Sequence, residues 1–279
     1  MSHHRSTGAF TFAAALALSI ISAQAFDETK YPNWKGQWLS VAGPQNTLWD
    51  PSKPANAQQP PLTPEYRAIF EASVKNAADG GIAPDPTIRC IPAGVPRVMM
   101  ATQPMEIVIT PDATYFMLEQ FSTLRRVYTD GRKFPDFFEP SFTGYSIGQW
   151  QDIDRDGRFT TLTIETRGMK GPHTYDASGI PFHADGEAVL TEKLYTDKAN
   201  PDILHNEITT TDHALTRPWT VTRSYRRSAQ PMQAEWTEAT CSEDATHVLI
   251  GDQNYGLSPD GLLMPSRRGQ KPPDLKYFK

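Results

Sequence analysis

The stretch MEIVITPDATYFMLEQFSTLRRVYTDG, residues 105–131, decides the fold class. It holds three runs rich in β-branched and aromatic residues, Met105 to Thr110, Thr114 to Gln120 and Leu124 to Thr129, with Pro111-Asp112 inside and Asp130-Gly131 at the end. Short runs of this composition, bounded by residues that turn the chain for backbone reasons, read as strands. The pattern continues downstream through Tyr145 to Trp150, Phe159 to Thr166, Ala188 to Tyr195, Ile203 to Thr211 and Trp219 to Arg226, with turn formers at Asp154 to Gly157, Ser178-Gly179 and Asn200-Pro201. No helical pattern intervenes, so the expected body is mainly β: an antiparallel meander closed as a β barrel or folded as a sandwich, with one N-terminal helix.

Upstream, Trp34 to Trp38 reads as a first strand, and Ala42 to Leu62 is rich in Pro, Asn and Gln with few large apolar residues. That composition predicts an extended surface arm. Thr63-Pro64 then supplies an N-cap and a first helical residue, and Tyr66, Ile69, Phe70 and Val74 follow at helical spacing up to Asp79-Gly80-Gly81. The segment 251–279 is rich in Pro, Gly and Lys and reads as a surface tail. The expected organisation is a leader over 1–25, the first strand and Pro-rich arm over 26–62, the helix plus β domain over 63–250, and the tail.

The leader expectation rests on Arg5, an uncharged apolar run from Ala9 to Ile21, and Ser22-Ala23-Gln24-Ala25 before Phe26. Basic, apolar and small-x-small segments in that order make a cleavable signal peptide, and the apolar run is too short to span a bilayer. The expected location is therefore periplasmic or secreted, with no transmembrane segment in the mature chain. With 27 Lys plus Arg against 32 Asp plus Glu the chain is net acidic, which disfavours nucleic acid as a partner. The two cysteines, Cys90 and Cys241, belong to no CxxC and have no neighbouring His. In an oxidising compartment such a pair is expected to close as a disulfide.

Five segments together resemble an uncharacterised family of exported bacterial proteins, a periplasmic group found in bacteria that degrade terpenoids, steroids or aromatics. They are Pro61-Leu62-Thr63-Pro64-Glu65-Tyr66, Cys90-Ile91-Pro92-Ala93-Gly94-Val95-Pro96-Arg97, Arg125-Arg126-Val127-Tyr128-Thr129-Asp130-Gly131-Arg132, Gly144-Tyr145-Ser146-Ile147-Gly148-Gln149-Trp150 and Thr216-Arg217-Pro218-Trp219-Thr220-Val221. The chain departs from that pattern after Ile147-Gly148: Tyr145 and Gln149 flank a longer turn where relatives carry Trp-Glu-Gly-Asp and histidines. Gly36-Gln37-Trp38 is also similar to the Gly-x-Trp of the first strand of lipocalin-like barrels. That likeness implies a Trp at the closed end packed against an Arg.

Three constellations could carry chemistry. Asp152, Asp154 and Asp156, followed by Gly157, with the carbonyl of Arg158, form a calcium-like loop. Thr160 and Thr163 stand where further ligands belong, so a solvated hairpin turn explains the loop as well. His173, Asp176, His183, Asp185, Glu187 and Glu192 place imidazole among carboxylates, with His183, Asp176 and Glu187 as the acid–base candidates. Zinc is open to His173, His183, His205 or His213, although no spacing puts two of them on one face. Adjacent strand residues face opposite sides, so one member of Arg125-Arg126 and of Arg226-Arg227 has an inward position open to it, where an Arg can bind a carboxylate on a ligand; a solvated outward position is the favoured reading.

The function expected from the sequence is binding of a small apolar or aromatic molecule in the barrel mouth, lined by Trp38, Tyr115, Tyr145 and Trp219. The alternative is an extracytoplasmic isomerase, lyase or hydrolase using the His and carboxylate pair.

Overall fold

In the computed structural model, residues 26–41, 49–50, 60–100, 102–229, 241, 246–251 and 253–273 are described. The leader and most of the Pro-rich arm lie outside them. Nine strands close a barrel in sequence order: β1 (Gln37–Ser40), β2 (Met105–Ile109), β3 (Ala113–Leu118), β4 (Thr123–Tyr128), β5 (Tyr145–Gln151), β6 (Thr161–Arg167), β7 (Val189–Thr196), β8 (Ile203–Thr211) and β9 (Trp219–Arg227). Closure comes from β1 against β9, with Trp38 opposite Arg227 and Ser40 opposite Tyr225. It leaves neither first nor last strand with an open edge.

Side-chain alternation explains which residues fill the barrel. On β8, Leu204, Asn206, Ile208 and Thr210 are buried and point inward, and on β9 the inward set is Trp219, Val221, Arg223 and Tyr225. Outward positions carry Arg126, Glu165, Lys193 and Glu207, an outer wall suited to water rather than lipid. Every pair of barrel strands is antiparallel except β4 with β5, which runs parallel. The connection over 129–144 is long enough for the crossover that parallel pairing needs. The meander expected from sequence is thus interrupted once.

Helix α1 (Pro64–Ala78) begins where expected, with the Thr63 hydroxyl accepting the Tyr66 amide. Its apolar face is only partly used. Tyr66 is buried, whereas Ile69 and Val74 remain 48% and 44% exposed.

The first strand starts at Gln37 rather than Trp34, because Gly36 takes φ +94 and breaks the extended run. The described part of the arm is not a surface feature. Trp49 is fully buried against Tyr175 and Trp219, and Leu62 pairs with Leu215 at the barrel rim. One large aromatic is enough to anchor a segment of otherwise polar composition. The tail forms β11 (Gln253–Leu257) and β12 (Leu263–Pro265), which with β10 (His247–Ile250) make a separate three-stranded antiparallel sheet. It is held to the end of α1 by Ser266 Oγ donating to the Gly80 carbonyl at 2.6 Å and Asn254 Nδ2 donating to that of Gly81 at 3.3 Å. Cys90 and Cys241 form the expected disulfide.

Candidate functional site

The barrel interior is occupied by its own side chains. Arg125 on β4 and Glu192 on β7 are both fully buried and meet as a two-pronged ion pair, with Nη1 donating to Oε1 at 3.0 Å and Nη2 donating to Oε2. Arg125 Nη2 also donates to Thr166 Oγ1 at 3.0 Å, Thr166 and Ser146 hydroxyls share a 2.8 Å bond, and Asn206 Nδ2 donates to Glu192 at 2.9 Å. Arg125 thus departs from the favoured outward reading, and the carboxylate it meets is the protein's own rather than a ligand's. Phe116, Leu162, Leu194 and Tyr225 fill the neighbouring inward positions.

Concave surface lies instead beside the barrel. A groove of about 490 Å³ runs between α1, the turn at Pro84 to Arg89 and the loop over 171–186. Ile69, Pro86, Pro172 and Phe182 make its walls apolar. Gly179, at φ +84, lets the loop turn close against the segment before Arg89: a Cβ there would lie 2.2 Å from that of Pro84. Two histidines reach this groove, His173 and His183.

His173 is buried against Phe182, ring centroids 4.2 Å apart, and neither ring nitrogen makes a close, well-aligned hydrogen bond among the described residues. Burial pushes its pKa down to about 4, while a looser hydrogen bond to the Lys170 backbone works in the opposite direction. It therefore sits in the groove as a neutral imidazole whose acceptor nitrogen is unused. His183 stands at the lip, its ring 5.1 Å from that of Tyr66 and its backbone N–H donating to Asp212 at 3.0 Å.

The carboxylate beside His183 is Asp185. Its Oδ2 lies 2.7 Å from His183 Nδ1 and 2.6 Å from His213 Nδ1. The Glu187 amide donates to the other oxygen at 2.9 Å. That amide, with the two imidazoles, lowers the Asp185 pKa to about 2, and Asp185 in turn raises that of His213. Desolvation raises the pKa of Asp212. Such a group of imidazoles around one carboxylate can hold a proton or a metal ion.

The other sequence candidates are dispersed. Asp176 is buried and holds the fold, accepting the Trp49 amide at 2.7 Å and the Ser178 amide at 2.8 Å. Glu187 lies 4.0 Å from His213 and is not paired with His183. Tyr115 and Tyr145 face outward: Arg126 covers the ring of Tyr115, and Tyr145 packs on Tyr128 and Phe138. Trp219 is inside, against Trp49 and Tyr175. Trp38 is inside too, its ring under the Arg227 guanidinium at 4.3 Å and its Nε1 donating to the Trp34 carbonyl. The Trp and Arg contact implied by the Gly-x-Trp likeness is thus present, but these four aromatics line no common cavity.

In the 152–158 loop, Asp152 accepts the amides of Asp156 and Gly157 at 3.2 and 2.8 Å, Asp156 accepts that of Arg158, and Asp154 pairs with Lys198 at 3.1 Å. The carboxylates close the turn. His213 is the site residue that sequence spacing did not connect to His183. The link is tertiary: the β7–β8 ladder ends with Val189 opposite Thr211, and just beyond it the His183 amide donates to Asp212, the residue before His213, at 3.0 Å.

By fold the protein is a closed, nine-stranded, mostly antiparallel β barrel with a groove and a histidine and carboxylate cluster at one rim. No family model matches the chain, and no curated protein matches it.

Proposed function

We propose that the protein is an extracytoplasmic binding protein that takes a small apolar or aromatic molecule in the groove between α1 and the 171–186 loop, outside the barrel. The observation that carries this reading is His173: a neutral, buried imidazole whose acceptor nitrogen has no close partner, set among apolar walls. Small-molecule sites combine a mostly apolar lining with a few placed polar groups, and an unsatisfied buried acceptor costs about 1–3 kcal/mol unless something meets it. The half-exposed Ile69 beside it gives the ligand apolar surface to cover. Export is supported by the Cys90–Cys241 disulfide and by the leader pattern over 1–25.

The test uses the apolar dye anilinonaphthalenesulfonate and native mass spectrometry of tag-free protein. The dye is expected to bind with blue-shifted fluorescence, and Ile69→Glu, on an exposed helix face, to weaken it about tenfold, the cost of about 1.4 kcal/mol. Leu262→Glu, in the exposed turn between β11 and β12, serves as control and leaves binding unchanged. Equal binding to the Ile69→Glu chain, or no dye and no co-purifying molecule, removes the groove reading.

A further inference from the structure

We infer that His183, Asp185 and His213, completed by Glu187, form a binding site for one divalent transition-metal ion of the zinc class at the barrel rim. This goes beyond the groove reading and does not depend on it, because the metal's ligands are all the protein's own.

The geometry begins with convergence. One ligand atom from each of His183, Asp185 and His213 lies within 4.8 Å of the other two, the only such group among the described residues. Two hairpin strands bring them together. His183, Asp185 and Glu187 precede β7 at alternate positions, and His213 follows β8, so the β7–β8 register delivers both sides to one end.

Two demands meet at a single atom, His183 Nδ1. A ring nitrogen has one in-plane position, occupied either by a proton or by a lone pair. His183 Nδ1 accepts the Asp185 backbone N–H at 3.2 Å, which requires the lone pair, yet the Asp185 carboxylate oxygen, itself an acceptor, stands 2.7 Å from the same atom. A proton on Nδ1 satisfies the carboxylate and strands the amide. A metal ion on that lone pair leaves the amide in the same state, so the case for a cation rests on the convergence itself: Asp185 Oδ2 stands 2.7 Å from His183 Nδ1 and 2.6 Å from His213 Nδ1, and one ion there can take a lone pair from each imidazole and from the carboxylate.

The surroundings suit a hinged closure around such an ion. His183 and Asp185 are partly buried and held: the His183 amide donates to Asp212, the Ala184 amide to the Tyr66 hydroxyl at 3.2 Å, and the Glu187 amide to Asp185. The His213 and Glu187 side chains are exposed by contrast, at 65% and 72%. Tetrahedral zinc with bonds of about 2.0–2.2 Å separates neighbouring ligand atoms by about 3.3 Å. The contacts of 2.6 and 2.7 Å must therefore open slightly, while Glu187, 4.0 Å from His213 Nδ1, must close. The two exposed side chains can make both movements. Two imidazoles favour zinc, cobalt, nickel or copper over calcium and magnesium, which prefer oxygen alone.

The experiment is titration of tag-free, chelator-treated protein with zinc by calorimetry, and with cobalt as a spectroscopic probe. One equivalent of zinc is expected to bind in the micromolar range or tighter, and cobalt to give the intense visible bands of a four-coordinate N/O site. His213→Ala, on an exposed turn, should weaken zinc by at least about tenfold while circular dichroism and melting stay those of the parent; even losses outside the ligand set reach that size. Asp152→Ala in the distant turn leaves zinc affinity as it was. No saturable zinc binding, or equal affinity and stoichiometry in the His213→Ala chain, overturns the site. Because no organic molecule takes part, this outcome is separate from that of the dye experiment.

Discussion

At the scale of single residues, the most consequential side chain is His173. Its folded-state pKa of about 4 lies below the ordinary 6.5, so as pH falls the unfolded chain takes up the proton first. The stability tied to its neutral form is complete above pH 6.5 and is lost as pH falls towards 4, a change of about 3 kcal/mol. His213 has the opposite sign: its pKa is raised, so its contribution is present at low pH and lost as pH rises through that raised value, and its exposure keeps it small. Urea unfolding followed from pH 7 to pH 4 should show the steep loss in the parent and a flat profile in His173→Gln. Parallel profiles for the two chains refute the assignment. A buried histidine of this kind is invisible in sequence, because Pro172-His173-Thr174 carries no sign of which loop residue faces a groove.

At the scale of elements, the barrel strands and the start of α1 were legible and the C-terminal sheet was not. Strands β2 to β9 lie within a few residues of the runs read from alternation and turn chemistry, since a half-buried strand must alternate. The C-terminal sheet escaped that reading because its strands are short, and β12 spans only Leu263–Pro265. Its stability is borrowed from the end of α1 and from the disulfide, whose partners are 151 residues apart. Replacing both cysteines by serine is expected to cost about 2–5 kcal/mol. Hydrogen exchange should rise first in β10 to β12, with the barrel strands still protected. A uniform rise across β2 to β9 would show that the bridge holds the barrel instead.

At the scale of the molecule, the barrel is stitched through its centre by Arg125 and Glu192, which come from strands three apart in the barrel order. Removing one partner leaves a buried charge, so Glu192→Ala should cost about 3–5 kcal/mol. Arg125→Met with Glu192→Met removes both charges and should be less damaging than Glu192→Ala, as urea unfolding can measure. Additive losses in the double variant would mean that the two residues do not act as a pair. The same pair explains why the interior is not the ligand chamber that the barrel pattern led us to expect: ionic and aromatic side chains already fill it.

The sequence alone determined the strands, the helix start and the cysteine pairing, because alternation, capping and the count of two cysteines are local or combinatorial facts. Tertiary structure decided what the inward arginine meets, where the concave surface lies, and that His213 joins His183 and Asp185. Those depend on barrel closure and on the β7–β8 register, which bring distant positions together by geometry that no spacing along the chain encodes.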